Sequence, residues 1–304
     1  MRIVVALGGN ALLRRGEKPD ATIQLEHIHS AARALVPIAN EHELLICHGN
    51  GPQIGMLALE SENDEALTRS YPMDVLVAQT QGMIGYWLAQ SLANAGVSRP
   101  VLSVITQTVV DPADPAFGAP TKFIGSSYPD VLAHRLAGEH GWDIARDGAA
   151  WRRVVPSPAP QRIVEQEVIT ALLDRQVVLI CAGGAGIPVT DRAGNLAGVD
   201  AVIDKDLTAA LLAITVHADR LLILTDVSAV MADFGTPQAT PLKRLDLRQL
   251  DRLTFPAGSM GPKIAACRQF VEASGQPAAI GALGDAPAVL AGDAGTTITA
   301  GQTP

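Results

Sequence analysis

An open α/β sheet is the fold class this sequence predicts, and two observations predict it. Short apolar runs recur along the whole chain and end in glycine or polar turn residues, and helix-length stretches lie between them. Most of the runs lack polar alternation, which suits strands buried on both faces of a parallel sheet covered by helices. Strand–helix alternation of this kind is the pattern of open α/β domains.

The strand expectations fall at residues 3–7, 44–47, 101–105, 177–181, 221–224 and 278–282. Helices are expected over 21–39, with Pro37 close to the end, and over 72–95, with Pro72 suited to a first turn. Others are expected over 165–175, 204–217 and 262–273, and one begins near Pro52. The stretch 111–160 breaks the rhythm. It holds Pro112, Pro115, Pro120, Pro129, Pro156, Pro158 and Pro160, with Trp142 and Trp151, and reads as an inserted lid or small subdomain.

Composition narrows the function classes. Hydrophobic residues make up 48% and charged residues 18% of 304, a globular profile built on aliphatic side chains. The net charge of −8 argues against a nucleic-acid partner, which needs a basic surface, but leaves room for a small anionic ligand. Cys47, Cys181 and Cys267 form no Cys-x-x-Cys pair and predict neither a disulfide framework nor a metal site. The apolar run before Gly8 is too short for a signal peptide or membrane span, so a soluble, cytoplasmic protein is expected. Only five of the 23 basic residues are lysine: Lys18, Lys122, Lys205, Lys243 and Lys263. A lysine inside a Gly/Pro/Asp-rich motif therefore stands out, because a compact ammonium reaches a phosphate differently from a guanidinium.

Three glycine-rich loops follow predicted strands. Gly8-Gly9-Asn10 and His48-Gly49-Asn50-Gly51-Pro52 are the first two, and Ala182-Gly183-Gly184-Ala185-Gly186 is the third. Glycines at strand ends let backbone N–H groups approach an anion, and a helix starting near Pro52 would add its positive end. Open α/β sheets bind ligands at the carboxyl ends of their strands. Neither the Walker pattern nor G-x-G-x-x-G occurs, which disfavours a Rossmann dehydrogenase. His48 reads either as a base or as a residue that orients its loop. Charge comes from Asp204-Lys205-Asp206, from Gly261-Pro262-Lys263, and from Lys122 in the insertion. A lysine in a helix's first turn opposes the macrodipole, a placement best understood if it faces a bound anion.

The segments VVALGGNAL, CHGNGPQIG, PTKFIG, RRVVPSPAP, AGGAGIPV, GVDAVIDKD, ILTDVSAV and GSMGPK, in that order from Val4 to Lys263, resemble the amino acid kinase superfamily and, within it, the carbamate kinases. The resemblance implies a three-layer αβα sandwich with an open, mainly parallel sheet, a protruding subdomain over 111–160, and a homodimer. It implies phosphoryl transfer between ATP and carbamate, giving ADP and carbamoyl phosphate, with Mg²⁺. The N-terminal part would hold the carbamate and phosphoryl group through Gly8, Gly9, Asn10, Gly49, Asn50 and Gly51. The part from about 176 to 304 would hold the nucleotide, near Gly183, Gly184, Asp226, Val227, Met260 and Pro262. Lys205 and Lys263 would flank the transferring phosphoryl, Asp206 would orient them, and Lys122 would arrive from the subdomain. No membrane partner and no dedicated metal-ligand set is implied. The chain departs from the family pattern at Ala185, where glycine is usual, and at Phe123, where proline is common. A kinase of another small carboxylate or phosphonate, and a nucleotide-binding sensor, stay open as alternatives.

Overall fold

The computed structural model describes residues 1–9, 12–14, 16–255 and 260–301. The chain opens with β1 (Arg2–Leu7), α1 (Ala21–Glu41), β2 (Glu43–His48), α2 (Gly51–Asn63) and α3 (Met73–Asn94). It continues through β3 (Val101–Ser103), β4 (Gln107–Val110), β5 (Lys122–Tyr128), α4 (Asp130–His140), β6 (Asp143–Asp147), β7 (Ala150–Val155) and β8 (Pro160–Ile163). Next come α5 (Gln166–Leu173), β9 (Val178–Ile180), β10 (Ile187–Arg192), β11 (Asn195–Gly198), α6 (Lys205–Thr215) and β12 (Arg220–Thr225). The last elements are β13 (Val230–Ala232), β14 (Thr240–Leu242), β15 (Arg244–Asp246), α7 (Leu247–Leu250), α8 (Met260–Ser274), β16 (Ala278–Ala282), α9 (Ala286–Ala291) and β17 (Thr296–Thr299).

The central sheet has eight strands in the order β15-β17-β16-β12-β1-β2-β9-β3. Every pairing in it is parallel except β16 with β17. The apolar runs read from sequence are its six neighbouring strands from β16 to β3. Period-two geometry divides their side chains between two cores. Val4, Ala6, Leu45 and Cys47 join Ala209 and Leu212 of α6 and Phe270 of α8. Ile3, Val5, Leu7, Leu44 and Ile46 join Ile28 and Leu35 of α1 and Leu88 of α3. Helices on both faces make three layers, and each fully buried aliphatic side chain contributes about 1.5–3 kcal/mol.

Among the described residues three smaller sheets decorate this frame. A four-stranded sheet, β11-β10-β4-β8, and the hairpin β13-β14 lie beside it. The antiparallel sheet β5-β7-β6 is separate and occupies the Pro-rich stretch with α4, whose His134 meets Trp151 of β7 edge-on. β4 ends at Val110 and β8 begins at Pro160, and their antiparallel pairing brings the two ends of this stretch together.

The small sheet sits on α2 at two points. A Cβ added at Gly55 would lie 2.0 Å from the Cα of Gly125, so helix and strand touch backbone to backbone. At the far end of α2, Glu62 accepts hydrogen bonds from Arg153 Nη1 at 2.8 Å and from Trp142 Nε1 at 3.0 Å. Among the described residues no helix is long and apolar enough to cross a membrane.

Candidate functional site

Parallel strands deliver their carboxyl ends to one edge of the sheet, and the glycine loops after β1 and β2 meet there. Gly8 N–H donates to Leu224 O at 2.8 Å and Gly49 N–H to Leu7 O at 3.1 Å, extending the sheet by one bond each. These two donors are therefore spent on the fold. A Cβ at Gly49 would meet Gly9 N at 3.2 Å and Lys205 Cδ at 3.3 Å, so the loops lie against each other with the lysine stem beside them. Helix α2 starts at this point without a side-chain cap. Asn50, its N-cap residue, turns away instead and donates from Nδ2 to Thr80 Oγ1 at 2.9 Å. The first-turn N–H groups of a helix have no intrahelical acceptor, so this N-terminus is open to an anion.

Helix α6 begins at the same edge. Asp204 caps it, with Oδ1 accepting from Asp206 N at 2.9 Å and Leu207 N at 3.4 Å. Lys205 follows and is 9% exposed; Asp206 is 3% exposed. The Asp206 carboxylate accepts from Lys205 Nζ on Oδ1 and from Lys263 Nζ on Oδ2, the latter at 3.2 Å. Burial opposes the charge on Lys205, but the close Asp206 carboxylate outweighs it and raises the lysine's pKa. Lys263 moves the other way. Burial and the charge of Lys205 lower it, and the more distant Asp206 oxygen offsets only part of this. The two directions differ because one carboxylate is shared unequally between two ammonium groups.

Lys122, the first residue of β5, reaches across from the small sheet and donates to Asp204 Oδ2 at 2.6 Å. Burial would raise the Asp204 carboxyl, yet Lys122, Lys205 and the capped N–H hold it well below the usual carboxylate range.

All of this borders a cleft of 1990 Å³. Gly8, Gly9, Gly49, Asn50, Gly51, Gly184, Lys122, Lys205 and Lys263 line one part of it, and Asp226, Val227 and Met260 another. Asp206 lies behind the two lysines, and Pro262 and Gly183 are also off the wall. Asn10 falls outside the described residues, as do Gly258 and Ser259. Two residues given no role from the sequence belong here: Asp204, named only within its charged motif because a helix cap explained it, and Arg152, hidden by its place in a subdomain strand. Arg152 Nη2 donates to Gly125 O at 2.9 Å, its Nη1 donates to Asp147 Oδ2 at 3.1 Å, and its guanidinium lies over the Phe123 ring at 5.5 Å.

The third glycine loop does something different. A Cβ at Gly183 would meet the His48 ring at 2.3 Å, and one at Gly184 would meet Asn50 Nδ2 at 2.2 Å. These glycines let the loop press against the second one. Ala185 has φ +78°, a left-handed backbone that costs about 1–2 kcal/mol for a residue with a Cβ. Its methyl packs with Val110 and Ile203, away from the cleft. His48 orients its loop: it is 1% exposed, and its Nδ1–H donates to Gly49 O at 3.0 Å. Burial pushes its pKa down to about 4 against this hydrogen bond, so the ring is neutral at pH 7.

Glycine loops, an uncapped helix start and clustered lysines at the carboxyl edge of a parallel sheet define a phosphate-handling α/β enzyme. The amino acid kinase family profile matches residues 1–282, and the chain belongs to that family. It is 48% identical over 303 residues to a carbamate kinase of Rhizobium meliloti (strain 1021), covering 98% of this chain and 93% of that one. It is 48% identical over 297 residues to a carbamate kinase of Escherichia coli (strain K12), covering 98% and 99%. Among solved structures, carbamate kinase from Giardia lamblia bound to AMP-PNP superposes with a TM-score of 0.88 at 37% identity, over 98% of each chain.

Proposed function

We propose that this chain is a carbamate kinase, moving a phosphoryl group between ATP and carbamate in a reversible reaction. The single observation that carries the proposal is the Lys205–Asp206–Lys263 array, set beside two glycine loops and an open helix start in one cleft. Full-length identity near one half to curated carbamate kinases supports the choice of acceptor.

Phosphoryl transfer asks a protein mainly for in-line positioning and for neutralisation of the equatorial oxygens. Gly9, Asn50 and Gly51 present N–H groups to the transferring group and to carbamate; Gly8 and Gly49 hold these loops on the sheet. Lys205 and Lys263 place positive charge beside the phosphoryl oxygens, and Asp206 fixes both before substrate arrives, so little reorganisation is left for the transition state. Carbamate is already an anionic nucleophile and needs no base, in keeping with a neutral, buried His48. The nucleotide lies toward Asp226, Val227 and Met260; Gly183 acts one step back, against the His48 ring, while Gly184 packs on Asn50 and also faces the cleft. The small sheet over 122–155 serves as the lid that brings Lys122.

Mg²⁺ accompanies the nucleotide. Asp204 and Asp206 are engaged by lysines, and no group of three metal-ligating side chains occurs among the described residues. The fit is therefore to an ion held mainly by phosphate oxygens and water, supplying charge neutralisation there. We place the enzyme in the cytoplasm as a homodimer. Leu102 and Ile105, at the exposed β3 edge of the central sheet, and Tyr86 of α3 offer apolar surface for the second copy.

The test is ATP formation from ADP, Mg²⁺ and carbamoyl phosphate, with Lys263→Ala as control. Robust synthesis is expected, with kcat reduced about 10²–10³-fold in the variant. Nucleotide binding without synthesis would sink the proposed acceptor, and full turnover in Lys263→Ala would sink the site assignment.

A further inference from the structure

We propose that Asp204 is a positioning residue that sets Lys122 over the cleft, and so couples closure of the small sheet to the start of α6. The inference rests on the reading of Lys122 as a substrate-facing group. Asp204 has two jobs and one oxygen for each. Oδ1 is fixed by the Asp206 and Leu207 N–H groups, which locks the carboxylate to the helix axis. Oδ2 is then presented at a defined place, and there it accepts from Lys122 Nζ at 2.6 Å.

An ordinary helix cap would leave that second oxygen to water. Here the partner comes from a sheet that shares no strand pairing with the central one, 82 residues away in sequence. The Asp204 side chain is only 15% exposed and the Lys122 side chain 30%, so water screens the pair weakly on the aspartate side and can still reach the lysine head. Lys122 also begins β5, the strand whose Gly125 touches α2. The near edge of the small sheet is fixed by the backbone contact to α2, by burial of Ile124 and Val155 beside Val202, by the Val202 N–H donating to Pro156 O at 2.9 Å, and by this ion pair to α6. Only the ion pair acts on a group that faces substrate.

The alternation of charge has a further result. Lys122, Asp204, Lys205, Asp206 and Lys263 form one cluster carrying three positive and two negative charges. Asp204 balances Lys122 while leaving Lys205 and Lys263 to share Asp206, so the excess positive charge stays at the phosphoryl position instead of being spread toward the lid.

The decisive substitution is Asp204→Asn, because asparagine caps a helix about as well as aspartate while lacking the charge that holds Lys122. Wild type, Asp204→Asn, Lys122→Ala and the double variant are compared in ATP synthesis. Amide hydrogen exchange over residues 122–128 is followed in the same proteins. Asp204→Asn is expected to lower kcat/KM for carbamoyl phosphate about tenfold or more, the usual effect of losing a charged hydrogen bond. KM for ADP and the Tm should stay near wild type, and exchange over 122–128 should quicken. In the Lys122→Ala background the same change should cost nothing further, since residues acting through one another are not additive. An equal loss in both backgrounds would overturn the inference, as would unchanged exchange in Asp204→Asn. Wild-type activity in Lys122→Ala, with faster exchange in Asp204→Asn, would instead keep Asp204 as the lid anchor and remove Lys122 from the reaction. Because exchange needs no turnover, the coupling is read even if carbamoyl phosphate proves to be the wrong substrate.

Discussion

Two lysine–carboxylate arrangements meet at the first turn of α6, built from the same chemistry and held in opposite ways. Lys205, Asp206 and Lys263 come from helices α6 and α8, which share one apolar core, and the lysine and carboxylate side chains are 4–17% exposed. Lys122 and Asp204 join the small sheet to the N-cap of α6, and the lysine side chain is 30% exposed. The floor of the cleft is two lysines sharing one buried carboxylate, whereas its roof, packed on α2 and α3 through Ile124 and Val155, meets the start of α6 through a partly exposed ion pair. Electrostatic stabilisation is worth most where no rearrangement is needed at the moment of reaction. The floor should therefore carry the larger share of the rate, and the roof should govern capture and commitment of substrate.

The sharpest break of that contrast is Asp206→Asn. It strips the shared charge from two buried ammonium groups, and removing one partner from a buried ion pair typically costs about 3–5 kcal/mol of stability. We expect kcat to fall by about 10³-fold, more than for either lysine alone, together with a Tm decrease seen by calorimetry. A loss smaller than that of Asp204→Asn would reverse the ranking of floor and roof. Next in size is Gly55→Ala, which touches only the roof. The new methyl meets Gly125 backbone that cannot swing aside, an overpacking worth about 1–3 kcal/mol. Denaturant unfolding should report that loss, and kcat/KM for carbamoyl phosphate should fall while ADP still binds. Wild-type kinetics would mean that the small sheet need not sit where it does.

The effect that is smallest at neutral pH, and grows only on acidification, is a pH dependence of the loop framework itself. Burial lowers His48 from 6.5 to about 4, so the unfolded chain binds a proton there before the folded chain does. Its contribution to stability is complete above the unfolded value of 6.5 and is lost as pH falls toward 4, by at most about 1.4 kcal/mol per pH unit. Asp204, depressed rather than buried neutral, contributes fully above its ordinary value of 3.8 and fades only below it. Unfolding curves between pH 7 and 4, compared with His48→Gln, should show the slope flatten in the variant.

Much of this was legible in the sequence where a local pattern reports directly on burial. Uniformly apolar runs marked β16, β12, β1, β2 and β9 because those strands are covered on both faces, and marked β3 as well although it is an edge strand with Leu102 exposed. The edge strand β15 (RLD) and its neighbour β17 (TTIT) are short and partly polar, β10 (IPVTDR) turns polar over its second half and β11 faces solvent, so no run announced them. Lys205, Asp206 and Lys263 were visible as charges in glycine- and proline-rich motifs at helix starts. The Lys122–Asp204 pair was not, because nothing local connects a residue in the Pro-rich stretch to a helix cap far along the chain. The third glycine loop carried the opposite lesson. Its composition reads as an anion cradle, yet Gly183 and Gly184 are small so that His48 and Asn50 can lie against them.

The three thiols, described so far only as core atoms, give the molecule an internal clock. Cys47 lies under the reaction floor, its Sγ donating to Ala182 O at 3.2 Å, and burial pushes its pKa up to about 12. Cys181 and Cys267 are buried and raised further, one at the end of β9 and one within α8. Because the thiolate is the reactive form, a disulfide-exchange reagent finds almost nothing to attack while the fold is closed. Each sulfur reacts at the rate at which its own neighbourhood opens. Labelling order would then time how the sheet edge, the glycine loops and the lysine-bearing helix come apart, with no probe added to the chain.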